Sequence, residues 1–219
     1  NMGCPQKKIS GRGAGAGLLK TPELAVKIAD EVVRAVEKVP VTVKIRLGWD
    51  DPTVGLALAK EFERVGVAAV TVHGRTRQQR FSGQADWEGI RAIVEAVRTI
   101  PVIANGDINT PAAAREVFEK TGCAGIMLGR QPVKEPWIIR DITRDLRGEP
   151  PLPPTTPAER LEVMLKQYER AIPVYGERVA LLLFRKWTFH YLKSLRIDKT
   201  VIVPILHIGD AAEWRRRVT

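Results

Sequence analysis

The sequence predicts an α/β fold: the C-terminal half of a parallel (β/α)8 barrel (a partial TIM barrel) followed by a small all-helical domain. Three observations predict it. From about residue 20 to 145, short apolar runs rich in β-branched residues alternate with amphipathic stretches, as expected of strands buried on both faces of a parallel sheet. A polar cluster follows each apolar run, at the C-terminal strand ends where barrel sites collect. Beyond a proline-dense stretch at 148–157 the period becomes helical throughout. An open doubly wound sheet is the alternative, and the recurring polar clusters favour the barrel.

Each element has its own signal. Thr21-Pro22 opens a helix that runs to Val39, with Leu24, Ile28, Val32, Val33 and Val36 at helical spacing. Pro40 stops it. Val41–Arg46 reads as a strand. A helix near 53–65 precedes a strand at Ala68–Val72, a helix near 86–99 precedes Pro101–Ala104, and a helix near 111–121 precedes Ala124–Leu128. Four strands are clear, whereas a full barrel needs ~250 residues. The first three strands and most of a fourth are therefore expected upstream of Asn1-Met2-Gly3-Cys4-Pro5, which reads like the interior of a longer chain. Residues 1–147 form the barrel portion and 148–157 a stiff proline-rich linker. Residues 158–219 form the helical domain, with helices at Pro157–Val174 and Arg178–Leu195 and a third near 210–217.

Composition narrows the partners. The chain has 219 residues and a net charge of +10. Residues 155–219 alone carry 12 Lys/Arg against 7 Asp/Glu. Such an excess favours a polyanion, because Lys and Arg displace counterions from phosphates. The two cysteines, Cys4 and Cys123, lie far apart. They imply neither a disulfide framework nor a metal site and fit a reducing cytosol. No apolar run reaches the ~18 residues of a membrane span. A cytoplasmic monomer is expected.

Five clusters could carry chemistry. Cys4 stands between Gly3 and Pro5. A thiol can donate its proton at neutral pH or act as a nucleophile beside a base; the bland reading is a small buried thiol. Lys44 and Arg46 alternate on one strand and so project to one side, towards a ligand or out to water. His73, in Thr71-Val72-His73-Gly74-Arg75-Thr76, can donate to a ligand or simply fill the core. Asn105-Gly106-Asp107 and Gly129-Arg130 are glycine turns after consecutive strands, where backbone N–H groups can meet a phosphate. In Arg185-Lys186-Trp187-Thr188-Phe189-His190-Tyr191-Leu192-Lys193, cations interleave with aromatics. There Trp187 and Tyr191 fit a core face as well as a stacking role. Arg178, Arg185, Lys186, Lys193, Arg196 and Lys199 are the candidates for phosphate contact.

In order and spacing these motifs resemble those of the tRNA-dihydrouridine synthases, closest to the bacterial B type. Asn1-Met2-Gly3-Cys4-Pro5, Gly15-Ala16-Gly17-Leu18-Leu19, Val43–Gly48, Val72–Thr76, Asn105–Asp107 and Gly129-Arg130 carry the resemblance. The resemblance implies an FMN-dependent enzyme that uses NADPH and reduces uridines in tRNA. It implies Cys4 as general acid and Lys44 and His73 at the flavin ring system, with Arg46 behind them. Asn105, Gly106, Asp107, Gly129 and Arg130 would hold the ribityl chain and phosphate. The helical domain would bind tRNA, and no metal is implied. The chain departs from the family pattern at Gln131–Lys134, where small residues are usual, and at Trp187, where His is common. Two other readings are an FMN barrel acting on a free pyrimidine, as in dihydroorotate dehydrogenases, and a non-catalytic RNA-binding protein.

Overall fold

The computed structural model describes residues 1–36 and 38–219. The chain divides into two compact units, Asn1–Gly129 and Arg130–Thr219.

The first unit is built on a four-stranded parallel sheet in the order β1-β2-β3-β4. Its strands are β1 Thr42–Arg46, β2 Ala69–His73, β3 Val102–Asn105 and β4 Gly125–Met127. The expected α/β class and all four strands are present, each within about a residue or two of its expected start. Val43, Ile45, Val70, Val72, Val102 and Ala104 are buried, forming the apolar layer of the sheet. Around it lie α1 Lys7–Ser10, a 3₁₀ turn at Gly15–Lys20, α2 Pro22–Ala35, α3 Val54–Arg64, α4 Trp87–Ala96 and α5 Pro111–Thr121. Local chemistry sets the helix ends. Asp86 accepts from the Gly89 N–H at the start of α4, and Thr110 accepts from Ala113 at the start of α5. Gly122 ends α5 in the left-handed region at φ 65.

One expectation for α2 is corrected. The helix ends at Ala35, with Val36 already extended, rather than running to Val39; Glu37, within that stretch, lies outside the described residues. Its packed side is Ala25 and Ala29, while Leu24, Ile28 and Val32 are exposed at 47%, 37% and 43%. The alanines allow close helix approach, and periodicity alone cannot tell which stripe packs.

The second unit contains only helices among its described residues: α6 Gln131–Lys134, α7 Ile138–Leu146, α8 Pro157–Tyr175, α9 Glu177–Ser194, α10 Lys199–His207 and α11 Ala211–Val218. The units divide at 129/130, ahead of the proline-rich stretch, because α6 and α7 group with the later helices. Thr156 opens α8 with a capping box: its Oγ accepts from the Glu159 N–H, and Glu159 accepts from the Thr156 N–H. The core is aromatic. Tyr168 and Trp214 rings lie 4.8 Å apart, and Phe184 meets Trp214 edge-on at 5.9 Å. Helix α10 was not expected: Val201, Ile202, Val203 and Pro204 argue against helix, but Asp198 caps its start and Ile202 and Ile205 are buried.

Candidate functional site

Parallel register aligns the C-terminal ends of the strands. Arg46 pairs with His73, His73 with Asn105, and Asn105 with Met127. Because side chains alternate, Lys44, Arg46, Thr71, His73 and Asn105 share the face opposite the apolar layer. A one-residue slip of β1 would drive both Lys44 and Arg46 into that layer.

On this face Lys44 Nζ crosses β2 and donates to Asn105 Oδ1 at 2.9 Å. Asn105 Nδ2 in turn donates to the Met127 carbonyl at 2.7 Å. Burial, and secondarily Arg46, lowers the Lys44 pKa to about 8. The His73 pKa falls to about 3, chiefly by burial, then by Arg46 and Lys44. The imidazole is therefore neutral at physiological pH, with one N–H donor and one acceptor.

The amino-terminal segment runs beside β1. The Met2 N–H donates to the Lys44 carbonyl at 2.9 Å, and Arg46 Nε donates to the Gly3 carbonyl at 3.0 Å. Cys4 follows, half-buried. It lies close enough to Arg46 to raise that guanidinium's pKa, which burial and Arg75 nonetheless bring down to about 10. The Cys4 carbonyl accepts from the Ala16 N–H at 3.0 Å. Gly15 is left-handed at φ 56, and a Cβ there would meet the Cys4 Cβ at 3.0 Å. A side chain at 15 would thus displace the thiol.

A buried ion pair organises the other side of the mouth. Arg75, only 2% exposed, holds Asp107 through both terminal guanidinium nitrogens at 3.0 and 2.7 Å. It also donates to the Ser82 and Gly83 carbonyls. Asp107 accepts the Ala85 N–H at 2.7 Å. Arg46 donates to the Thr76 and Arg80 carbonyls. Two guanidiniums therefore fasten the loop from Thr76 to Asp86, which carries Phe81 with its ring 6.2 Å from His73. Gly106 has φ 119, and a Cβ there would strike Ala85 at 2.8 Å and the His73 ring at 3.0 Å.

Cys4, Lys44, His73, Asn105, Gly106 and Asp107 thus gather at one end of the sheet. Gly129 lies two residues past the end of β4, and a Cβ added to it would meet nothing within 4 Å. Arg130 opens the second unit as the cap residue of α6. Asp107, expected at the ligand, has its carboxylate on Arg75 and the Ala85 N–H. Sequence reasoning gave Arg75 no role. The signal was available: Arg75 and Asp107 each stand two residues past register partners, His73 and Asn105.

In the second unit, at 100° per residue, Arg178, Arg185, Lys186 and Lys193 fall on one side of α9. Arg196 follows the helix at φ 62, and Lys199 begins α10. All are exposed except Arg185, which is half-buried. Arg185 Nε has no hydrogen-bond partner among the described residues. Tyr191 is a core residue, 3% exposed, and donates to Gln167 Oε1 at 3.0 Å. Trp187 is half-buried against the same core. Among the described residues no helix is long and apolar enough to cross a membrane.

Comparison with known proteins fits this arrangement. The family model described as Dihydrouridine synthase (Dus) matches residues 1–204. A probable tRNA-dihydrouridine synthase of Rickettsia conorii is 47% identical over 197 residues, covering 89% of this chain and 59% of that protein. The tRNA-dihydrouridine synthase B of Pseudomonas aeruginosa is 44% identical over 196 residues, covering 89% and 58%. That of Proteus vulgaris is 41% identical over 214 residues, covering 97% and 66%. The chain spans about three fifths of the length of most of these relatives.

Proposed function

The chain belongs to the dihydrouridine synthase family, and from that premise we propose that the protein reduces uridines of tRNA to 5,6-dihydrouridine in the cytoplasm, with FMN as hydride donor, NADPH as its reductant and Cys4 as general acid. The observation that carries the reading is the Lys44–Asn105 hydrogen bond at 2.9 Å, set in a mouth that also holds a half-buried thiol.

The residues present suit a flavin nucleotide. Lys44 and a neutral His73 supply donors for the polar edge of the ring system. Asn105, the bare Gly106 turn, Gly129 and Arg130 suit the ribityl chain and phosphate, with Asp107 holding that turn through Arg75. When bound and reduced, the flavin supplies a hydride for C6 of the uracil. Cys4 holds the proton that C5 receives, and the Gly15 turn keeps the thiol in place. Lys44 and Arg46 keep the mouth positive, which favours an anionic nucleotide there. In this reading the sheet is part of a (β/α)8 barrel spanning 1–147, joined by 148–157 to a tRNA-binding domain at 158–219. Arg178, Arg185, Lys186, Lys193, Arg196 and Lys199 contact phosphates. The cationic side of α9 supports tRNA as substrate over a free pyrimidine, which needs no such surface.

The test is dihydrouridine content in tRNA from a deletion strain with and without the gene, together with flavin absorbance of the purified full-length protein. Restored dihydrouridine and a yellow protein are expected. Unchanged tRNA, or a colourless active protein, overturns the reading.

A further inference from the structure

The second unit holds a hollow of about 520 Å³ between α6, α8 and α9 that the site above does not use. Its floor is apolar, formed by Val133, Pro136, Val163 and the Trp187 ring. Gln167 and Tyr191, bonded to each other, close one side. Two cations line it, and two more lie next to lining residues in sequence. Lys166 and Arg170, one turn apart on α8, are both lining residues and both exposed. Lys166 is paired with Glu162, whereas Arg170 makes no ion pair among the described residues. Near the Trp187 end, Lys186 Nζ lies 5.9 Å from the Trp187 ring centre, and Lys134 follows the lining residue Val133 in sequence. His190 reports the crowding there: burial lowers its pKa first, and Lys186, Lys134 and Lys193 lower it further.

An aromatic floor flanked by cations matches one kind of ligand. A nucleobase offers a flat face to an indole, and the chain that carries it puts a phosphate on each side. The volume lies within the range of sites for molecules of that size. An acidic peptide would meet the cations but leave the indole face without a partner.

We propose that this hollow takes one unstacked nucleobase of the bound tRNA against Trp187, with one flanking phosphate on Lys166 and Arg170 and the other on Lys134 and Lys186. The inference rests on the tRNA reading above and assigns the second unit a base contact in addition to its phosphate contacts.

The experiment uses the full-length protein, a labelled unmodified tRNA transcript and fluorescence anisotropy across a salt series. Trp187→Leu keeps apolar bulk but loses the stacking face; it should weaken binding about tenfold with no change in salt dependence. Lys166→Glu with Arg170→Glu, both at exposed positions, should weaken binding more than about tenfold and lower the salt slope. Affinity like wild type in Trp187→Leu, or a loss in the charge variant alone, overturns the base pocket. Turnover is read separately. Absent dihydrouridine overturns the proposed reaction, and a wild type that binds no tRNA overturns both.

Discussion

In the first unit three cations at the strand ends point inward. Lys44, Arg46 and Arg75 are drawn into a network of carbonyls, one amide and one carboxylate, and burial shifts the titration of two of them. In the second unit the interior is aromatic and aliphatic, and Arg178, Lys186, Lys193 and Arg170 stand in water. Inward-facing cations with fixed acceptors hold a geometry, so substitutions there should change chemistry and stability. Exposed cations can attract a polyanion, so substitutions there should change affinity in a salt-dependent way.

The contrast can be broken most sharply at Cys4. Cys4→Ala should lower single-turnover dihydrouridine formation by about 10²–10⁴-fold while tRNA affinity holds. Near-normal turnover would remove the first unit's claim to the chemistry. Next come the two interiors. Trp214→Ala should cost about 3–5 kcal/mol in urea unfolding, since the indole is 1% exposed and packs on Tyr168 and Phe184. Arg75→Ala should cost about 3 kcal/mol, because Asp107 loses its bidentate partner but stays 27% exposed. Arg75→Lys should recover little of this, since an ammonium cannot reproduce the fork. A smaller change is expected on α9: Arg178→Gln, Lys186→Gln and Lys193→Gln together should reduce the salt slope of tRNA binding by about two.

The last comparison is the pH dependence of folding stability. His73 titrates at about 3 in the fold against 6.5 for the free side chain, so between those values the unfolded chain binds more protons. Its contribution is intact above about pH 6.5 and is lost as pH falls towards about 3. Lys44 titrates at about 8 rather than 10.5, so stability should rise with pH through that window. Urea midpoints measured across pH, with His73→Asn as reference, should show a shallower acid loss in the variant. An identical acid loss would mean that the imidazole is not the group responsible.

The strands were legible because their runs are short, β-branched and bounded by proline or glycine, as at Pro40–Arg46 and Pro101–Asn105. The gathering of Cys4, Lys44, His73 and Asn105 was legible as a consequence of parallel strands alternating with helices. Other features depend on the third dimension. Leu24, Ile28 and Val32 form as regular a stripe as Ala25 and Ala29, and only packing partners decide between them. The Arg75–Asp107 pair needs the register of β2 against β3. The hollow beside Trp187 draws on residues from three helices, so no local motif announces it. Helix α10 forms against its own propensity because Ile202 and Ile205 reach the core.

One guanidinium near the mouth has a wider reach than its size suggests. Arg46 bonds the carbonyls of Gly3, Thr76 and Arg80, which belong to stretches far apart along the chain. Loops that share a single buried hub lose their anchor together. The segment bearing the thiol and the segment carrying Phe81 beside His73 therefore share one fastening, and removal of that guanidinium should loosen both together.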